Sequence, residues 1–110
     1  MRHYPSIAED NPLDVLRLIR TPNVGPITFF NLLERCGSAK AALAMLPELS
    51  RRGGRKQPLT ACDLDAAKRE MEQVEKFGAR MILYGAPDYP KLLAVIADAP
   101  PLITILGHTH

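Results

Sequence analysis

The sequence predicts a bundle of short helices that hands over near Gly78 to the opening of a parallel α/β sheet. Three observations carry this reading. Apolar residues recur at three- and four-residue spacing in successive segments up to Phe77, the helical period. Asn, Ser, Thr, Pro and Gly stand between those segments where helices start and stop. After Gly78 the pattern changes to two short apolar runs, Arg80-Met81-Ile82-Leu83-Tyr84 and Leu102-Ile103-Thr104-Ile105-Leu106, with a helical stretch between them.

Residues 1–12 read as a loose polar arm. Asn11-Pro12 then opens a helix over Leu13 to Arg20, with Asn as cap and Pro in the first turn. Val15, Leu18 and Ile19 form its buried side, and Pro22 ends it. Thr21-Pro22-Asn23-Val24-Gly25-Pro26-Ile27-Thr28 is a tight turn in which Asn23 and Gly25 tolerate positive φ. Pro26 suits the first position of the second helix, whose stripe is Phe29, Leu32, Leu33 and Cys36. Gly37 stops it and Ser38 caps the third helix, marked by Ala39, Ala42, Leu43 and Leu46 and broken at Pro47. Arg51 to Pro58 is a basic loop around Gly53-Gly54. Thr60 caps the fourth helix, with Asp63 completing a capping-box-like pair and Leu64, Ala67, Met71, Val74 and Phe77 on one face. Gly78 closes it.

The two later runs are unbroken rather than alternating, as in strands covered on both faces. Asp88 caps a helix between them, with Tyr89, Leu92, Leu93 and Ile96 on one face, and Pro100-Pro101 stops it. Strand, helix, strand at this length predicts a right-handed parallel βαβ unit. Two such strands cannot cover their own faces and edges. The chain is therefore expected to be the front portion of a larger protein, or to have its sheet completed by another chain. If residues 80–106 continued as helix or paired as an antiparallel hairpin, both this architecture and the assignment drawn from it would collapse.

Composition narrows the function classes. The 110 residues fit about one domain, with 46% hydrophobic residues, only 5% aromatic ones and no Trp, so the core is aliphatic. No apolar run approaches the roughly 20 residues needed to span a bilayer, and no apolar segment follows the first residues as in a secretory signal. Cys36 and Cys62, in a chain without an export signal, read as reduced and buried, with a cytosolic location as the default. The net charge is +2, and all of the positive excess lies in Arg51-Arg52-Gly53-Gly54-Arg55-Lys56, because the residues before and after balance or are acidic.

Two stretches are candidate binding surfaces. The turn carrying Asn23, Gly25, Pro26 and Thr28 presents backbone N–H groups at a helix N-terminus, a place suited to a phosphate oxygen; equally, it can be a plain joint between packed helices. The Arg51, Arg52, Arg55, Lys56 cluster can contact nucleic-acid phosphates or form a solvated loop. Phe29, Phe30 and Phe77 read as core, and Tyr84 and Tyr89 as packed, so none forms a strong stacking platform. His108 and His110 lack the further ligands a metal site needs. No catalytic pairing, GxGxxG or P-loop is present, and no cofactor is implied. Asp63, Asp65, Glu70 and Glu72 fit a helix N-terminus and an exposed face better than an acid/base pair.

The order of motifs resembles a known family. Pro22-x-Val24-Gly25-Pro26 is followed by Leu32-Leu33-Glu34-Arg35-x-Gly37-Ser38-x-x-Ala41-Ala42-Leu43, then Phe77-Gly78-Ala79 before a strand. Asp88-Tyr89-Pro90-x-Leu92-Leu93 and Asp98-x-Pro100-Pro101 precede the second run, which closes at Gly107. Over residues 13–107 this is similar to the N-terminal part of the DNA-processing protein A family, DprA/Smf. The resemblance implies a helical SAM-like domain, related to helix-hairpin-helix modules, over 13–78. It further implies the first βαβ unit of an extended Rossmann-like domain over 79–110. It implies a non-enzymatic protein that binds single-stranded DNA and helps load a RecA-type recombinase during natural transformation. A homodimer surface and the main DNA pocket would belong to Rossmann-like sequence beyond His110, and no membrane is involved. Phosphate-gripping turns of helix-hairpin-helix modules read Gly-x-Gly; here Asn23 holds the first position and Gly25 the second. The other reading is a helical protein-interaction module with no DNA role of its own.

Overall fold

The computed structural model describes residues 4–52 and 60–106, of which 50–52 by backbone alone. The elements are α1 (Pro12–Ile19), α2 (Pro26–Cys36), α3 (Ala39–Arg52), α4 (Leu64–Lys76), β1 (Ala79–Leu83), α5 (Lys91–Ala94) and β2 (Leu102–Leu106). Helix starts follow local capping chemistry. The Asn11 side chain accepts from the Leu13 N–H at 2.8 Å, and Ser38 Oγ accepts from the Ala41 N–H at 3.1 Å. Asp63, rather than Thr60, caps α4, accepting from the Ala66 N–H at 3.2 Å. Gly37 (φ 94°) and Gly78 (φ 71°) close α2 and α4 in the left-handed region.

The helices bury their apolar stripes against one another. Val15, Leu16 and Leu18 of α1, Phe29 and Leu32 of α2, and Ala39, Ala42 and Leu46 of α3 form the centre of the core. The alanines let the α3 backbone lie close to α1 and α2. Pro47 does not break α3, contrary to the sequence reading. It removes one i→i−4 bond, a cost of about 3 kcal/mol in a helix interior. Leu46 before it is fully buried and Leu49 beyond it packs on the core, so both sides are held in helical geometry. The helix thus reaches Arg52, where a loop was expected from Arg51.

The sheet departs most from expectation. β1 and β2 pair antiparallel, with Ala79 opposite Leu106 and Leu83 opposite Leu102. The parallel βαβ unit read from the sequence is overturned. The connection explains why. α5 has four residues, a rise of about 6 Å, whereas carrying the chain back along five-residue β1 needs about 17 Å. Tyr84 N–H donates to the Pro101 carbonyl at 2.9 Å, so the chain returns to the end of β1 it left. The face expected to seal a longer helix is open, with Leu92 87% exposed. Asp88 does not cap it: its carboxylate pairs with Arg80 at 2.6 Å.

Residues 4–11 are not a loose arm. Ile7 is buried, and its N–H donates to the Tyr84 carbonyl at 2.9 Å. Tyr4 stacks on Phe30 with ring centroids 4.0 Å apart and donates its hydroxyl to the Ala97 carbonyl at 2.7 Å. Asp10 Oδ2 accepts from the Ala39 N–H at 3.1 Å, a second cap on α3. The arm therefore ties the helices to the sheet. Phe77, read as core, is 74% exposed.

Candidate nucleic-acid interface

The Thr21–Thr28 turn is built from its ends inward. Thr21 is buried; its hydroxyl donates to the Arg17 carbonyl at 2.7 Å and accepts from the Cys62 N–H at 3.2 Å. Val24 N–H closes onto the Thr21 carbonyl at 3.1 Å, and the buried Val24 side chain anchors the turn in the core. Between them Pro22 and Asn23 occupy the central positions. Asn23 has φ 71°, the signature of a type II turn, and is exposed.

Gly25 is the N-cap of α2 and Pro26 its first residue; no side chain caps this helix. The Phe29 N–H makes the first helical bond, to the Gly25 carbonyl at 2.8 Å. The Ile27 and Thr28 N–H groups have no partner among the described residues. Gly25 has φ −95°, which any residue adopts, and a Cβ there would meet nothing within 4 Å. The fold does not itself demand glycine at this position. What the turn offers is two N–H groups, unengaged among the described residues, at the positive end of an 11-residue helix whose N-cap carries no side chain.

The second predicted stretch is divided. Arg51 and Arg52 fall in the last turn of α3, and their side chains lie outside the described residues, as do Arg55 and Lys56 altogether. The segment that re-enters the fold after them is held firmly: Arg17 Nε donates to the Cys62 carbonyl at 3.0 Å while Thr21 holds the Cys62 N–H. Arg20 pairs with Glu70 through two bonds of 3.2 and 2.9 Å, joining α1 to α4. Thr21 escaped sequence reasoning, because a threonine after a helix announces no partner 41 residues away. Asp10 escaped it for the same reason.

Other candidates resolve simply. Phe29, Phe30, Tyr84 and Tyr89 are buried, and Tyr89 donates its hydroxyl to the Pro100 carbonyl at 2.7 Å. Cys36 and Cys62 are free thiols, half-buried. His108 and His110 lie outside the described residues, among which no cluster of metal-ligating side chains occurs. No helix among the described residues is long and apolar enough to cross a membrane.

Comparison with known proteins bears on the helical part. No curated protein gives a significant match. The family described as DprA-like N-terminal HHH domain matches residues 9–72, which span the arm's end through most of α4 and stop short of the strands. The antiparallel sheet therefore leaves the family standing on its helices. With more than half of its length matched, this chain belongs to the DprA-like N-terminal HHH domain family, a membership that fits a role in DNA processing.

Proposed function

We propose that this chain is a non-enzymatic, cytoplasmic DNA-binding protein whose helical part, residues 13–78, contacts the backbone of single-stranded DNA. The observation that carries the reading is the N-terminus of α2, where no side chain caps the helix, the Ile27 and Thr28 N–H groups have no partner among the described residues, and a Cβ at Gly25 would meet nothing within 4 Å. A phosphate oxygen there would satisfy both donors and meet the positive end of the helix. Asn23, Pro26 and Thr28 shape the same turn. Arg51, Arg52, Arg55 and Lys56 supply the electrostatic attraction, and their charges are the chain's whole positive excess. In the wider process the bound strand would be passed to a RecA-type recombinase during natural transformation. A homodimer forming through Rossmann-like sequence beyond His110 belongs to the same reading.

The test is the salt dependence of affinity for a short oligothymidylate, comparing the natural chain with a variant in which Arg51, Arg52, Arg55 and Lys56 are all alanine. If all four reach phosphates, the slope of log K against log salt becomes shallower by about 3, from about 0.7 per contact. An unchanged slope would remove the basic stretch from the interface.

A further inference from the structure

At the opposite end of α2 from the proposed phosphate site, a cleft of about 430 Å³ lies between the N-terminal arm and the last turns of the helix. Tyr4, Ile7, Phe30 and Leu33 give it apolar walls, and Glu9 and Glu34 add carboxylates. We propose that this cleft binds a basic side chain, an arginine above all, presented by a segment of a partner protein.

Three features of the cleft select that occupant. The first is charge: no lysine or arginine lines it, and Glu9 and Glu34 are exposed and make no ion pair among the described residues. Asp10 adds a third negative charge, its oxygens already accepting from the Asn11 and Ala39 N–H groups. The second is the field of the helices. α2 ends here at Gly37, so its negative pole meets the cleft. The positive pole of α3 beside it is answered by Ser38 and Asp10. The third is the wall: Tyr4, Ile7, Phe30 and Leu33 line the cleft and offer apolar surface to the stem of a long cationic side chain. The volume falls within the range of ordinary ligand sites, ample for one long side chain. The same charges repel a phosphate. The two ends of α2, about 16 Å apart by helix rise, would then face partners of opposite sign.

The probe is acetyl-Leu-Arg-Leu-amide titrated into the ¹⁵N-labelled full chain, with acetyl-Leu-Gln-Leu-amide as the uncharged control. The arginine peptide is expected to move the Ser6, Phe30, Leu33 and Ser38 amides, and the glutamine peptide to leave them in place. Glu9→Gln with Glu34→Gln is expected to weaken binding about three- to tenfold, from two partly exposed charge pairs. Both positions are exposed, so the variant keeps the fold. Equal response to both peptides, no response at these amides, undiminished affinity in the double variant, or the same shifts with an oligothymidylate would each overturn the proposal.

Discussion

Gly25 and Gly85 show how differently two glycines serve this chain. Gly85 has φ 92°, and a Cβ there would run into the Ser6 side chain where the arm crosses the end of β1. Gly85→Ala is expected to lower stability by about 1–3 kcal/mol through backbone strain and displacement of the arm. Thermal denaturation alone and with Ser6→Gly measures the side-chain part of the clash, since the Ser6 Cα would still stand 2.8 Å from the added carbon and the backbone strain would remain. At Gly25 the fold makes no such demand, so a side chain there is accommodated without strain or clash. Tyr89 is a third case. Burial pushes its hydroxyl up to about 12 from the usual 10, with the neighbouring Tyr84 adding to the shift. The folded chain holds this proton more tightly than the unfolded one. Its contribution is therefore fully present below pH about 10 and is lost as pH rises toward about 12. Chemical denaturation across that window should show stability falling, and Tyr89→Phe should flatten the fall.

Among the elements, local chemistry was legible and distant partnership was not. The Asn11 cap, the Pro26 start, the Gly37 stop and the Ser38 cap all follow from adjacent residues, and the structure has each of them. Pro47 was misread because its cost is local while the burial that offsets it, at Leu46 and Leu49, is tertiary. The hairpin was misread because unbroken apolar runs suit strands of either orientation, and Leu92 and Ile96 fit a helical period they do not use. The Thr21–Cys62 link gives a measurable consequence. Thr21→Val leaves the Cys62 N–H without its acceptor beside a buried side chain and should cost about 1–3 kcal/mol. Glu70→Gln, which weakens a half-exposed ion pair, should cost less than about 1 kcal/mol. Comparing the two variants by urea denaturation checks the order; a reversal would mean that the turn is not held where Thr21 places it.

At the scale of the whole molecule, the arm and the sheet share one core with the helices. Ile7, Phe30, Tyr84 and Leu102 belong to the same buried cluster. The sequence could reveal the helical order and the candidate turn, because both are written in spacing and in Pro, Asn and Gly positions. It could not reveal that residues 4–11 stitch the helices to the strands, because those contacts join residues up to 93 positions apart. The functional account rests on the uncapped end of α2, and Gly25→Asp tests it most directly. An aspartate there can cap the Ile27 and Thr28 N–H groups, so thermal stability should hold or rise by a few tenths of a kcal/mol. The same carboxylate would stand where a phosphate oxygen is proposed, so affinity for oligothymidylate should fall about tenfold or more. An aspartate variant that folds as well as the natural chain and binds the oligonucleotide just as tightly would contradict the account.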